Sequence, residues 1–206
     1  MSLTAGLLTS AFAQKDKRAE AILDAMSKKY KALSAYQAAF TYTAEGAGAK
    51  ESYKGDLTVK DAKFRLKLGG QDVYNDGKTI STYIKESNEV NIQDYDGSAN
   101  GDFNPTKIYS LYKKGFTYSY VGEQKLAGRP VDVIALTPEK KNAQIARVQI
   151  SVDKADKSVR AWQITDKNGK RTSYTINQFT PNPKITDNYF VFDKTKYPGV
   201  EVVDLR

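Results

Sequence analysis

The chain of 206 residues has no cysteine and no histidine, and only one tryptophan and two methionines. Without cysteine there can be no disulfide and no thiolate metal site. Without histidine the commonest general base and the commonest metal ligand are both missing. Serine–histidine and cysteine–histidine catalysis are therefore excluded within this chain. Carboxylate-only or lysine-based chemistry is left open, but no constellation of residues calls for it. The expectation is a protein that is not an enzyme and that uses no cofactor and no metal.

Charge is of mixed sign, with 32 basic against 24 acidic residues, a net charge of +8 and an isoelectric point near 9.3. The basic residues are spread along the chain. The densest run, Lys15, Lys17 and Arg18, opens a helical pattern. That distribution fits a solvated surface better than a nucleic-acid footprint. An acidic partner or anionic lipid headgroups would suit it equally.

Thr4 to Ala13 reads TAGLLTSAFA, a short apolar stretch ending in the small-x-small pattern Ala11-Phe12-Ala13. It reads as the remnant of an export signal behind an added start, Met1-Ser2-Leu3, with cleavage near Ala13-Gln14. An ordinary helical N-terminus is the alternative. The stretch is too short to span a bilayer. We expect residues 1–13 to be that remnant and residues 14–206 to form a single domain working in the periplasm. Gln14, in place of cysteine, gives a mature protein with no lipid anchor of its own.

One long helical pattern follows. Ala19, Ile22, Leu23, Met26, Tyr30 and Leu33 make a single apolar stripe between Lys17 and Leu33. From Tyr36 the period changes to two. Phe64, Leu66 and Leu68 alternate with Lys63, Arg65 and Lys67, and Asn75-Asp76-Gly77 and Lys167-Asn168-Gly169 are hairpin turns. Asn104-Pro105 reads as an N-cap and first helical position, opening a short helix to Lys114. The pattern predicts a mainly β protein with one antiparallel sheet of about ten or eleven strands, one leading helix and one inserted helix. Such a sheet curls, and its apolar concave face leaves a hollow that the two helices can cover. A packed core with no ligand explains the same pattern.

Several segments together resemble the LolA-like outer-membrane lipoprotein carrier proteins, in the form found in Bacteroidetes-type bacteria. They are Tyr36-Gln37-Ala38-Ala39-Phe40-Thr41-Tyr42, Gly55-Asp56-Leu57-Thr58-Val59-Lys60, Asn75-Asp76-Gly77-Lys78-Thr79 with Tyr83, Arg171-Thr172-Ser173-Tyr174, Phe190-Val191-Phe192 and Pro198-Gly199-Val200-Glu201-Val202. The resemblance implies an unclosed antiparallel β-barrel of about eleven strands around an amphipathic helix, with a helical lid over an apolar cavity. It also implies a periplasmic carrier that takes the acyl chains of lipoproteins from an inner-membrane release complex to an outer-membrane acceptor, working as a monomer. The expected cavity residues are Phe40, Tyr42, Leu57, Val59, Phe64, Leu66, Leu68, Val90 and Ile92. Ile108, Leu111 and Tyr112 form the expected lid face. In the best-known members an arginine after the second strand helps to latch the lid, whereas this chain has Asp61 there. A lipid- or lipoprotein-sensing envelope regulator of the same fold, and a structural or glycan-binding β protein, are the alternatives.

Overall fold

The computed structural model describes residues 16–95, 97, 108–140 and 143–206. The only α-helix among them is α1, Lys17–Lys31. Asp16 caps it, its Oδ1 accepting from the Arg18 and Ala19 amides at 2.9 and 3.1 Å. The three lysines of its last turn suit the negative end of the helix dipole. Ala19, Leu23, Met26 and Tyr30, spaced at four, three and four residues, form the buried stripe.

The strands are β1 Tyr36–Gly46, β2 Ala49–Lys60, β3 Lys63–Leu68, β4 Gln71–Asn75, β5 Thr79–Ile84, β6 Glu89–Asp94, β7 Phe116–Leu126, β8 Arg129–Pro138, β9 Ile145–Asp153, β10 Val159–Asp166, β11 Arg171–Pro181 and β12 Glu201–Asp204. All twelve lie in one sheet, in the order β12-β6-β5-β4-β3-β2-β1-β11-β10-β9-β8-β7. Only β12 runs parallel to its neighbour. The edges β12 and β7 do not pair, so the curled sheet is unclosed. The count is one more than expected, because the C-terminal stretch ends as the short strand β12. No alternating run in that segment is long enough to mark it.

Tight turns set the register. Asp76 Oδ1 accepts from the Lys78 and Thr79 amides at 2.8 Å each, which locks the turn between β4 and β5. Asp61 sits at φ +54 in the two-residue turn between β2 and β3. Aspartate tolerates this left-handed conformation better than most side chains do. Asp61 is thus a turn former.

Register also separates the two faces. Tyr36, Val59 and Phe64 share the concave face, as do Ala38, Leu57, Leu66 and Val73. The main core lies on this side, where α1 packs across β7 to β10 against Ile134, Leu136, Val148 and Ile150. The convex face of β3 to β6 has a different cover. After β11 the chain runs back over it as a strap, through 3-10 turns at Asp187–Phe190 and Lys194–Lys196. Phe190 is fully buried, and Phe192, Tyr197 and Val200 pack on Tyr83 and Val90. The Tyr74 and Tyr197 hydroxyls meet at 2.6 Å, and Lys60 and Lys63 hold Asp187 at 2.8 and 2.7 Å.

Over the described residues the inserted helix is of another type than expected. A 3-10 helix spans Ile108–Lys113. Residues 104–107, the expected cap and first turn, lie outside the described residues, as do residues 1–15.

Candidate functional site

Where α1 ends, the described residues leave the concave face partly uncovered. An apolar cavity of about 90 Å³ opens there. Tyr30 of α1 and Tyr36, Ala38 and Phe40 of β1 form one side. Leu57, Leu66 and Leu68 extend it across β2 and β3, while Val159, Trp162, Tyr174, Ile176 and Phe179 close it from β10 and β11. Phe40 can lie flat because its neighbour is Gly55. A Cβ on Gly55 would sit 2.5 Å from the Phe40 ring and 2.9 Å from the Lys67 carbonyl.

The tyrosines make this wall apolar without leaving phenols unsatisfied. Tyr30 Oη accepts from the Val159 amide at 3.1 Å, and burial pushes its phenol up to about 12. Burial likewise raises the Tyr36 phenol well above its ordinary value and the Tyr174 phenol to about 12. All three stay neutral at physiological pH. The lining carries no formal charge and suits a hydrocarbon ligand.

The segment before β7 forms a cover over α1. Tyr109 stacks on Tyr30 with ring centroids 6.0 Å apart, and Tyr36 meets Tyr30 edge-on at 5.3 Å. Tyr112 Oη donates to Asp24 Oδ1 at 2.5 Å, and the Lys113 ammonium stands 3.8 Å from the same oxygen. This contact ties the cover to the helix.

Of the residues expected to line the cavity, Phe40, Leu57, Leu66 and Leu68 do so. Tyr42 lies one step along β1, meeting Tyr174 at 5.3 Å. Val59 and Phe64 are buried in the main core. Val90 and Ile92 require correction. Thr82 and Asn91 continue the concave row from Val73, so Val90 and Ile92 point to the convex side, under the strap. Alternation shows that two residues share a face; it does not show which face. For the lid, Tyr112 is 3 % exposed and packs on Tyr118. The side chains of Ile108 and Leu111 lie outside the described residues.

The sequence reading missed the whole β10–β11 wall. A bulge explains part of this. Ala38 pairs Phe179 and Phe40 pairs Ile176, so two residues three apart face the same way. A strict period of two assigns them to opposite faces. On the convex side a second groove, of about 220 Å³, is edged by Gln37, Asp56, Thr58, Arg65 and Lys67, a polar lining unsuited to hydrocarbon.

A family model described as outer membrane lipoprotein carrier protein LolA matches residues 31–193. The chain belongs to the LolA family. Among solved structures, an uncharacterized conserved protein from Thermus thermophilus is similar at a TM-score of 0.60 and 14% identity, covering 91% of this chain and 99% of that one. LprF from Mycobacterium bovis is similar at 0.52 and 13%, covering 84% and 96%. MucB is similar at 0.50 and 18%, covering 91% of this chain and 66% of its own. At these identities the likenesses establish the LolA fold alone. A search of curated proteins gives no match.

Proposed function

We propose that this protein is a periplasmic carrier of lipoproteins, sheltering their acyl chains on the concave face between α1, β1 to β3 and β10 to β11. The observation that supports it most is the uncharged apolar cavity beside Tyr30, in a chain of the LolA family. Carriage needs no covalent step. Each methylene withdrawn from water contributes about 0.8 kcal/mol, so one enclosed acyl chain binds well. Non-directional contacts also leave the cargo free to pass to a more apolar acceptor. The partners are then an inner-membrane release complex and an outer-membrane acceptor, reached after export with cleavage near Gln14.

The cavity of about 90 Å³ is below the roughly 150 Å³ that admits benzene. Loading therefore widens it. The Tyr109–Tyr30 stack and the Tyr112–Asp24 hydrogen bond are the contacts that yield, while the fully buried Ala19, Leu23 and Met26 of α1 stay seated. Leu66→Glu tests the reading. The variant should keep the wild-type circular dichroism spectrum yet lose the acyl lipids that mass spectrometry detects on the natively purified protein. Full retention of lipid by a folded Leu66→Glu protein would refute the assignment.

A further inference from the structure

The concave face does not end at the cavity. Along β1 it continues from Phe40 through Tyr42 and Ala44 to Gly46, and along β2 from Gly55 through Tyr53 and Glu51 to Ala49. β3 stops at Leu68, opposite Gly55, so residues 49–54 of β2 have no strand neighbour on that side among the described residues. The β1–β2 hairpin therefore projects by about 20 Å, six residues at about 3.3 Å each. The β10–β11 hairpin runs beside it, Arg171 pairing with Glu45. Between the two tips lies a trough of about 380 Å³. Its floor is Ala44, Gly46, Ala47 and Ala49, and its rim is Glu51, Asp166, Asn168 and Lys170.

Chemistry changes steadily along this one surface. Tyr30, Tyr36 and Phe179 at the closed end are hydrocarbon-like. Tyr42, Tyr53 and Tyr174 come next, with Tyr42 6.2 Å from Tyr53 and 5.3 Å from Tyr174. Tyrosine suits such a boundary, having an apolar body and a polar tip. Beyond them the floor carries no side chain larger than a methyl, which lets a ligand's backbone approach closely. The Lys170 ammonium has no ion-pair partner among the described residues, leaving it free to donate to carbonyl oxygens. Glu51 can accept from an amide N–H.

We propose that the ligand binds in one direction, with the methyl ends of its acyl chains under Tyr30 and Tyr36. Its polar base, the glyceryl esters and first peptide groups of a lipoprotein, lies in the trough between the two hairpins. This rests on the carrier reading and adds an orientation and a head-group subsite to it. Lys170 and Asn168 meet ester or amide carbonyls, and Glu51 meets the peptide N–H groups that follow. An acyl chain without such a base uses the cavity and leaves the trough empty.

Two probes separate the sites: a synthetic tripalmitoyl-cysteinyl peptide and palmitic acid. Ala49→Trp, at an exposed position in the hairpin, fills the trough without touching the cavity. The variant should bind the lipopeptide about tenfold more weakly, the loss of one or two hydrogen bonds, with palmitate affinity unchanged. Unchanged lipopeptide binding, or equal loss of both ligands, would overturn the subsite. Photo-crosslinking fixes the direction. A diazirine beside the lipopeptide cysteine should label residues 44–51 and 166–170, and one at the chain ends should label the neighbourhood of Tyr30. The reverse pattern, or head-group labelling elsewhere on a wild-type protein that binds the lipopeptide, defeats the orientation and spares the carrier function. Failure of the wild-type protein to bind either probe defeats both.

Discussion

Two halves of one concave face, built from strands of the same alternating kind, end in different states. Over β7 to β9 the face is filled: Leu23, Met26, Ile134, Leu136 and Ile150 are all fully buried. Over β1 to β3 it keeps a cavity, and Leu57 and Leu66 stay partly exposed. Simple geometry accounts for the difference. A helix of 15 residues is about 22 Å long and 10 Å wide, while twelve strands at about 4.8 Å span about 53 Å. One helix cannot cover the whole sheet, and among the described residues part of the apolar face stays open. A hollow here needs no special residues, only a shortage of cover.

The sharpest way to break the comparison is to remove bulk from each half. Leu23→Ala, under the helix, should cost about 2–5 kcal/mol in denaturant unfolding, since packed surroundings cannot collapse into the gap. Leu66→Ala, on the cavity wall, should cost only about 1 kcal/mol, because part of its surface already faces open space. Equal costs would mean that the two halves are packed alike. Gly55→Ala comes next. Its new Cβ must displace Phe40 or the Lys67 carbonyl, for about 1–3 kcal/mol. Adding Phe40→Leu should recover part of that loss, and a double-mutant cycle reads the coupling.

Tyr112→Phe acts on the cover alone. It deletes the hydrogen bond to Asp24 and should cost about 1 kcal/mol. Amide exchange across residues 108–113 should quicken, while the buried amides of β8 and β9 keep their rates. Lipopeptide should also load faster, if release of this contact limits opening. An unchanged loading rate would shift the gate to the Tyr109–Tyr30 stack.

Much of this division was legible in the residues, and the illegible part has physical reasons. Lys63–Leu68 showed its strand and its buried face because strict alternation meets a solvated side. The stripe of α1 was equally plain. Val90 and Ile92 also alternate, yet the face they bury depends on a strap that arrives about a hundred residues later in the chain. β12 is four residues long and exists through its pairing with β6. The bulge in β11 put Ile176 and Phe179 on the same wall against their spacing. Tyr30 carried the subtlest signal. Its spacing marks it as core, and core packing and cavity wall draw on the same residue types. What separates them is the extent of the cover, a property of the assembled sheet.

The smallest effect belongs to the opposite face, where the strap's hold is partly electrostatic. The Lys60 and Lys63 ammonium groups hold the Asp187 carboxyl down to about 2. A carboxyl lowered on folding adds stability above its ordinary value of about 4, and that stability is lost as pH falls from about 4 towards 2. The pair is well exposed, with 59% of the Asp187 side chain accessible, so solvent screening keeps the contribution slight. Acidification should therefore speed amide exchange in residues 187–200 before the sheet unfolds, and Asp187→Asn should show the faster rates already at neutral pH. Acyl retention by that variant then decides whether the two faces are independent. Val73 and Tyr74 are adjacent on β4 and point to opposite faces, one towards the ligand side and one towards the strap. Retained lipid with a loosened strap means that the sheet insulates the cavity from its back. Lost lipid means that the strap sets the curvature on which the hollow depends.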